Sequence, residues 1–139
     1  MKVIVDTCVW SMSIRKKANP NSESVDALRR LLNNEDSVYL TGAILQEVLQ
    51  GLKHDGQRTQ VKSILTQSYP ILIPGTETYI AAAKLHCLAK SNGITLGTVD
   101  ALIAAQCIEA DTYLLSDDKD FPRIIKFSKL KLLPKIKLL

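Results

Sequence analysis

The sequence predicts an α/β protein with a doubly wound, mostly parallel five-stranded sheet in the order 3-2-1-4-5 and helices on both faces. Short apolar runs alternate with longer helical patterns along the chain, as in parallel α/β folds. The first run, Val3–Val5, lacks polar alternation, which is typical of a strand buried on both faces. The 139 residues suffice for one substantial core and are too few for two, so 1–139 is expected to be a single domain.

The first strand and the two helices after it are predicted from apolar spacing. The run Val3–Val5 stops at Asp6, and a helix is expected from Thr7. A polar, basic loop follows, and a second helix is predicted over roughly 23–33, where Ser22 or Ser24 can cap its N-terminus. Its apolar residues recur at helical spacing and are Val25, Leu28, Leu31 and Leu32.

The next predicted elements are a strand over 37–40, a helix opened by Thr41-Gly42 and a helix over about 56–67. Helical spacing of apolar residues defines one face of each helix. For the first helix these residues are Ile44, Leu45, Val48, Leu49 and Leu52, and for the second they are Val61, Ile64 and Leu65. Glu47 is expected at the edge of the first apolar face, where its carboxylate points along the boundary of the core.

The second half of the chain is predicted to contain three strands and two helices. The strands cover 71–73, 112–115 and 130–133. A long helix over 76–92 is expected to end at Gly93 in a left-handed conformation. A further helix from Gly97-Thr98 to Ile108 is apolar nearly all round, which predicts burial, and yet it carries Asp100 in its first turn.

The cysteine pattern argues against a disulfide-stabilised fold and against a zinc site, whereas the net charge by itself excludes little. The formal charge of +4 arises from 18 basic and 14 acidic side chains, which alone does not indicate nucleic-acid binding. Three cysteines, Cys8, Cys87 and Cys107, form no C-x-x-C pair and are expected to be reduced packing residues. Neither a secretory leader nor an apolar run near the ~20 residues of a membrane span is evident, so we expect a cytoplasmic protein without membrane contact.

Acidic residues are expected to converge at the carboxyl ends of strands 1 and 4, which flank the point where the strand order reverses. Asp6 ends strand 1, Asp118 and Asp120 follow strand 4, and Asp100 and Glu47 lie on neighbouring helices. Carboxylates this close repel one another unless a cation neutralises them. Oxygen ligands without histidine or cysteine favour Mg²⁺ or Mn²⁺ over zinc.

Each acid also has a purely structural explanation. Asp6 could cap the helix after it, Asp100 could lie in the first turn of a helix capped by Thr98, and Asp118 could follow a Ser116 cap. Glu47 could be a solvated residue. Convergence on one crevice favours function, whereas purely structural roles are expected for the other aspartates, namely Asp26, Asp36, Asp55, Asp111 and Asp117.

The expected chemistry is phosphodiester hydrolysis. A carboxylate-held metal pair can activate water at neutral pH and stabilise the entering and leaving oxygens, which indicates a nuclease. The basic residues Arg15, Lys16 and Lys17 are candidates for holding the nucleic-acid backbone beside the acids, and the alternative is a merely solvated loop.

The chain resembles PIN domains, and most of all the small VapC-type ribonuclease toxins of prokaryotic toxin–antitoxin pairs. The resemblance covers nearly the whole length and depends on Val5–Trp10, Glu47, Thr98–Ala105 and Leu114–Phe121. It implies an acidic quartet of Asp6, Glu47, Asp100 and Asp118, with Asp120 supporting it or replacing Asp118 as the fourth ligand. Thr7 and Ser116 match the family's small hydroxyl positions near the metal. A homodimer and an antitoxin whose C-terminal segment blocks the active groove are also implied.

Two alternatives remain open on the sequence. A PIN domain of this kind could act in RNA processing instead of as a toxin, or could bind RNA as a scaffold without cleaving it. Retention of all the acids argues against the non-catalytic alternative. A receiver domain is a poor match because Pro74-Gly75 stands where the phosphorylated Asp would be, and a haloacid-dehalogenase-type phosphatase is a poor match because Cys8 replaces its second Asp.

Overall fold

Five parallel strands form one sheet in the order β3-β2-β1-β4-β5, which confirms the predicted topology. The computed structural model describes residues 1–15, 22–34 and 36–135. Adjacent residues of a strand point to opposite faces, and Val3, Ile4 and Val5 are all fully buried, so both faces of the sheet are covered. The strands are β1 (Lys2–Val5), β2 (Ser37–Thr41), β3 (Ile71–Leu72), β4 (Tyr113–Leu115) and β5 (Lys131–Leu132).

Helices connect the strands and cover the sheet. They are α1 (Thr7–Ile14), α2 (Glu23–Asn33), α3 (Gly42–Gln50), α4 (Asp55–Ser68), α5 (Thr76–Ser91), α6 (Thr98–Glu109) and α7 (Asp120–Ile124), followed by a short 3₁₀ helix (Ile125–Phe127). In the described part of the chain, none of these helices is both long and apolar enough to span a membrane.

Local side chains and backbone conformations define the helix ends much as predicted. The Ser22 hydroxyl caps α2 by accepting from the Val25 N–H at 3.3 Å, and Thr41 caps α3 by accepting from the Ile44 N–H at 3.1 Å. Gly93, with φ of 76°, ends α5 in the left-handed conformation that its lack of a Cβ permits. The ends of these helices were therefore readable from single residues.

Three apolar residues that the sequence placed in buried patterns are exposed instead. Ile73 is 86% exposed because β3 ends at Leu72 on the edge of the sheet, and the predicted third residue of this strand is wrong. Ile64 is 59% exposed, since α4 turns Val61 and Leu65 towards the core and Ile64 lies beside that narrow face. Leu32 is 41% exposed at the end of α2.

Two further differences concern the cysteines and the segment after β4. Cys107 is buried as predicted, but Cys87 lies on the exposed side of α5 and is not a packing residue. Helix α7 has no counterpart among the elements predicted from the sequence. This helix forms because Phe121 and Ile124, one turn apart, both reach the core, and Pro122 is tolerated in a first helical turn.

Candidate active site

The acidic residues meet in a cleft of about 450 Å³ at the carboxyl ends of β1 and β4. This is the switch point of the sheet, where α/β folds commonly bind ligands. The residues that line the cleft are Asp6, Thr7, Cys8, Ser11, Arg15, Glu47, Asp100, Asp117 and Asp118. The four acids that the sequence placed together therefore share one cleft, and Arg15 lies beside them. Lys16 and Lys17 lie outside the described residues.

Asp6 lies between β1 and α1 and is only 6% exposed. One carboxylate oxygen accepts from the Thr7 N–H at 2.8 Å, and the other accepts from the Ser116 hydroxyl at 2.6 Å. Burial raises the pKa of Asp6, and the nearby charge of Asp118 adds to this, although the hydrogen bonds act in the opposite direction. Asp6 thus caps α1 and also directs its second oxygen towards the β4 side of the cleft.

Glu47 reaches the cleft from α3. The Thr7 hydroxyl donates to Glu47 Oε1 at 2.9 Å, which connects the first turn of α1 to the middle of α3. Glu47 is half-buried, as its position at the edge of the apolar face predicted. Its carboxylate is therefore held at the cleft by Thr7 and is not a freely solvated group.

Asp100 occupies the first turn of α6. Gly97, and not Thr98, is the N-cap residue, and it provides no side-chain cap. The pKa of Asp100 rises to about 6, first because of burial and then because of the negative charges of Asp118, Asp6, Glu47 and Asp120. The other four acids therefore all act electrostatically on Asp100.

The loop between β4 and α7 carries the remaining acids. The Ser116 oxygen accepts from the Asp118 N–H at 3.0 Å, and Asp118 Oδ1 accepts from the Asp120 N–H at 2.9 Å. Asp118 lines the cleft. Asp120 instead pairs with Arg123, at 3.6 Å between Oδ1 and Nη1. The geometry therefore brings Asp118 into the cleft and directs Asp120 to its own helix.

Two lining residues that the sequence analysis assigned structural roles also belong to this site. Cys8 Sγ lies 3.8 Å from Asp6 Oδ2 and 3.9 Å from Ser116 Oγ, and burial raises the pKa of this thiol. Asp117 lines the cleft and pairs with Lys135. The sequence neighbours of Asp117, Ser116 and Asp118, were the only sign of this placement, since a loop has no periodicity from which side-chain direction can be read.

The donor set has the chemistry of a site for a hard divalent cation. The oxygens come from four carboxylates, and their mutual repulsion contributes to the raised pKa of Asp100. Within residues 1–15, 22–34 and 36–135, no group of three or more His, Cys, Asp or Glu side chains has the geometry of a formed metal site. The residues fit such a cation in charge and donor type, but their side chains are not arranged as a complete coordination site.

The fold is shared with several solved structures. VapBC2 from Rickettsia felis, bound to a promoter DNA fragment, is 21% identical with a TM-score of 0.76, covering 96% of this chain and 98% of that chain. VapBC-1 from nontypeable Haemophilus influenzae is 22% identical with a TM-score of 0.72, covering 99% and 100%. Mycobacterium tuberculosis VapC20, a toxin that cleaves the sarcin-ricin loop, is 16% identical with a TM-score of 0.64, covering 87% and 93%.

Comparison with family models identifies the family to which the chain belongs. No curated protein matches the chain significantly. Residues 3–126 match the PIN domain family, a range that includes all the acids of the cleft. The protein therefore belongs to the PIN domain family.

Proposed function

We propose that the protein is an endoribonuclease that depends on Mg²⁺ or Mn²⁺ held by Asp6, Glu47, Asp100 and Asp118. The observation that carries this proposal is the convergence of four carboxylates, none of which forms an ion pair with a described side chain. Such an arrangement costs folding free energy unless a cation neutralises it. Asp120, already paired with Arg123, is the weaker candidate for the fourth ligand.

Each neighbouring residue has a defined role in this proposal. Ser116 donates to Asp6 and Thr7 donates to Glu47, so the two hydroxyls orient the carboxylates. A cation held by these carboxylates would lower the pKa of a bound water and stabilise negative charge on the phosphate oxygens. Arg15, exposed at the rim of the cleft, is placed to contact the RNA backbone beside the scissile phosphate.

The test is cleavage of a labelled oligoribonucleotide with Mg²⁺, with Mn²⁺, and with excess EDTA. We expect cleavage with either cation and none in EDTA. Full activity of the wild-type protein in EDTA would refute the metal-dependent mechanism. RNA binding without cleavage under every condition would instead support a non-catalytic PIN domain.

We further propose that the protein is the toxin of a type II toxin–antitoxin pair and forms a homodimer. This proposal is supported by the fold shared with toxin–antitoxin complexes such as VapBC2 and with FitAB bound to DNA. An antitoxin segment with an Arg or Lys could place its cation among Asp6, Asp100 and Asp118 and so compete with the metal.

Control by such a segment has a measurable consequence. Raising the Mn²⁺ concentration should partly restore cleavage in the complex, and replacing the inserted cation by Ala should weaken inhibition more than binding. If the product of the neighbouring gene neither forms a complex nor relieves growth arrest, the toxin role is wrong and a role in RNA processing is favoured. The homodimer can be checked separately by light scattering.

A further inference from the structure

Asp117, which lies between the cleft residues Ser116 and Asp118, contacts three other parts of the protein. Its backbone lies near the Cys8 thiol at the start of α1 and acts to lower the pKa of that thiol. Its carboxylate accepts from the hydroxyl of Ser24 in α2, and it also accepts from Lys135 Nζ at 2.6 Å. The loop that carries Asp118 is therefore fastened to α1, to α2 and to the segment after β5.

Asp118 depends on this loop for its position. Its N–H donates to Ser116 at 3.0 Å, and its Oδ1 accepts from the Asp120 N–H at 2.9 Å. In the described part of the chain, these are the hydrogen bonds that Asp118 makes, and both lie within the loop. The path of the loop thus decides where the Asp118 carboxylate points.

The partners of Asp117 are themselves held in place. Ser24 is only 3% exposed, so its hydroxyl is a buried anchor. The Lys135 side chain is 29% exposed, and its backbone carbonyl accepts from Arg30 Nη2 of α2 at 3.4 Å. Burial alone would raise the pKa of Asp117, but the hydrogen bonds from Lys135 and Ser24, with the charge of Lys135, lower it overall. Asp117 therefore forms an ion pair with Lys135, whereas none of the four carboxylates beside it pairs with a described basic side chain.

We propose that Asp117 and Lys135 are positioning residues, whose ion pair, together with Ser24, holds the Asp118 carboxylate towards Asp6 and Asp100. This inference rests on the proposed metal-dependent nuclease. It assigns a role in the site to the segment after β5, whose described residues do not line the cleft. Loss of the Asp117–Lys135 pair would leave all four candidate ligands in place in the sequence, but it would loosen the loop that orients Asp118.

The variant Lys135→Met separates positioning from simple charge effects, because the two predict opposite signs. If Lys135 acted only through its charge, removing it would make the cleft more negative and strengthen Mn²⁺ binding. If Lys135 positions the loop, Mn²⁺ binding measured by calorimetry should weaken about tenfold, as for other residues that orient metal ligands. The kcat should fall by about tenfold or more, with KM for RNA nearly unchanged, because misplaced groups reduce the chemical step.

A matched control is provided by Lys131, which is near Lys135 in the chain but lies at the opposite end of the strands. Lys131 pairs with Asp111 at 2.8 Å, close to the 2.6 Å of the Lys135–Asp117 pair, and neither Lys131 nor Asp111 lines the cleft. Lys131→Met should therefore retain the Mn²⁺ affinity and kcat of the wild type. Lys135→Arg, which keeps the charge and the hydrogen bonding, should restore both. Asp117→Asn should reproduce the loss, and the double variant Asp117→Asn with Lys135→Met should add little to it, because both changes break one pair.

The outcomes distinguish this inference from the function on which it rests. If the wild type neither binds Mn²⁺ nor cleaves RNA, both proposals fall. If the wild type does both and Lys135→Met behaves like Lys131→Met, or binds Mn²⁺ more tightly than the wild type, only the positioning role is overturned. Weakened Mn²⁺ binding with reduced kcat in Lys135→Met, and recovery in Lys135→Arg, would support it.

Discussion

Two acids at the amino ends of the strands and the candidate metal ligands at the carboxyl ends have opposite electrostatic surroundings. At the amino ends, Asp36 lies 3.6 Å from the N-terminal ammonium group, and Asp111 lies 2.8 Å from Lys131. At the carboxyl ends, the described residues give the Asp6 carboxylate hydrogen bonds from a hydroxyl, a thiol and an N–H group, and give the Asp118 carboxylate one from an N–H group, but no ion pair. The hydrogen bond from Lys131 lowers the pKa of Asp111, whereas burial raises the pKa of Asp6.

This difference separates acids that stabilise the folded state from acids that destabilise it. A carboxylate with a lowered pKa stabilises the folded state at neutral pH, and one with a raised pKa destabilises it. Groups that cost stability in a cleft are candidates for function, because a purely structural role does not require them to be unpaired. The same residue type thus has contrasting roles at opposite ends of neighbouring strands.

The largest expected effect is on RNA cleavage, when Asp is replaced by Asn at the carboxyl end of one strand and, as a control, at the amino end of another. Asp6→Asn should reduce RNA cleavage more than about 100-fold, the upper range for groups that only orient metal ligands. Without divalent cations, it should also raise the melting temperature, because a buried negative charge is removed. Asp111→Asn should leave cleavage unchanged and lower the melting temperature slightly, because it breaks the ion pair with Lys131.

Cleavage rates and thermal denaturation of both variants in EDTA test this contrast. Asn tolerates the left-handed backbone of Asp111, whose φ is 53°, so the control introduces little strain. Equal losses of cleavage in the two variants would show that the ends of the strands do not differ in function. Destabilisation by Asp6→Asn would show that its hydrogen bonds outweigh the cost of its charge.

An intermediate effect is expected in the pH dependence of stability. The pKa of Asp100 is about 6 in the folded protein, above the usual 3.8, so the folded state binds this proton more tightly than the unfolded state. Without divalent cations, stability should therefore fall as pH rises from about 4 to about 6. The contribution of Asp100 is of order 1–2 kcal/mol after allowance for its partial exposure to solvent.

Urea denaturation of wild type and Asp100→Asn at several pH values isolates this contribution. The variant should lack the loss of stability between pH ~4 and ~6, because its amide does not titrate in this range. Asp111→Asn should show the opposite difference from wild type: the lowered pKa of Asp111 stabilises the fold at neutral pH, and this stabilisation is lost as pH falls. Parallel curves for wild type and Asp100→Asn would contradict the raised pKa.

The smallest effect is expected for Arg15, the only basic residue among the described residues that line the cleft. If the Arg15 side chain contacts a phosphate of the RNA backbone, Arg15→Gln should weaken RNA binding a few-fold. The slope of log K against log salt should then fall by about 0.7. Filter binding of inactive Asp6→Asn, with and without Arg15→Gln, over a range of salt concentrations provides the measurement. An unchanged slope would show that Arg15 is only a solvated residue at the end of α1.

Several features could be read from sequence because each depends on residues close together in the chain. The parallel α/β class follows from the alternation of apolar runs with helical patterns, and the end of α5 follows from Gly93. The position of Asp6 follows from the point at which the Val3–Val5 run stops. The exposure of Ile64 and Cys87 could not be read in this way, because a helical pattern shows one face but not how much of that face a neighbouring element covers.

The sequence by itself determined which acids could meet, since parallel strands deliver their carboxyl ends to one side of the sheet and Asp6 and Asp118 follow adjacent strands. Only the tertiary structure decided that Asp118 and not Asp120 lines the cleft, that Thr7 holds Glu47 from 40 positions away, and that Asp117 joins Lys135. These contacts depend on loop path and side-chain direction. No periodic pattern in the sequence indicates either of them, because both are decided by the elements that pack around the loop once the chain has folded.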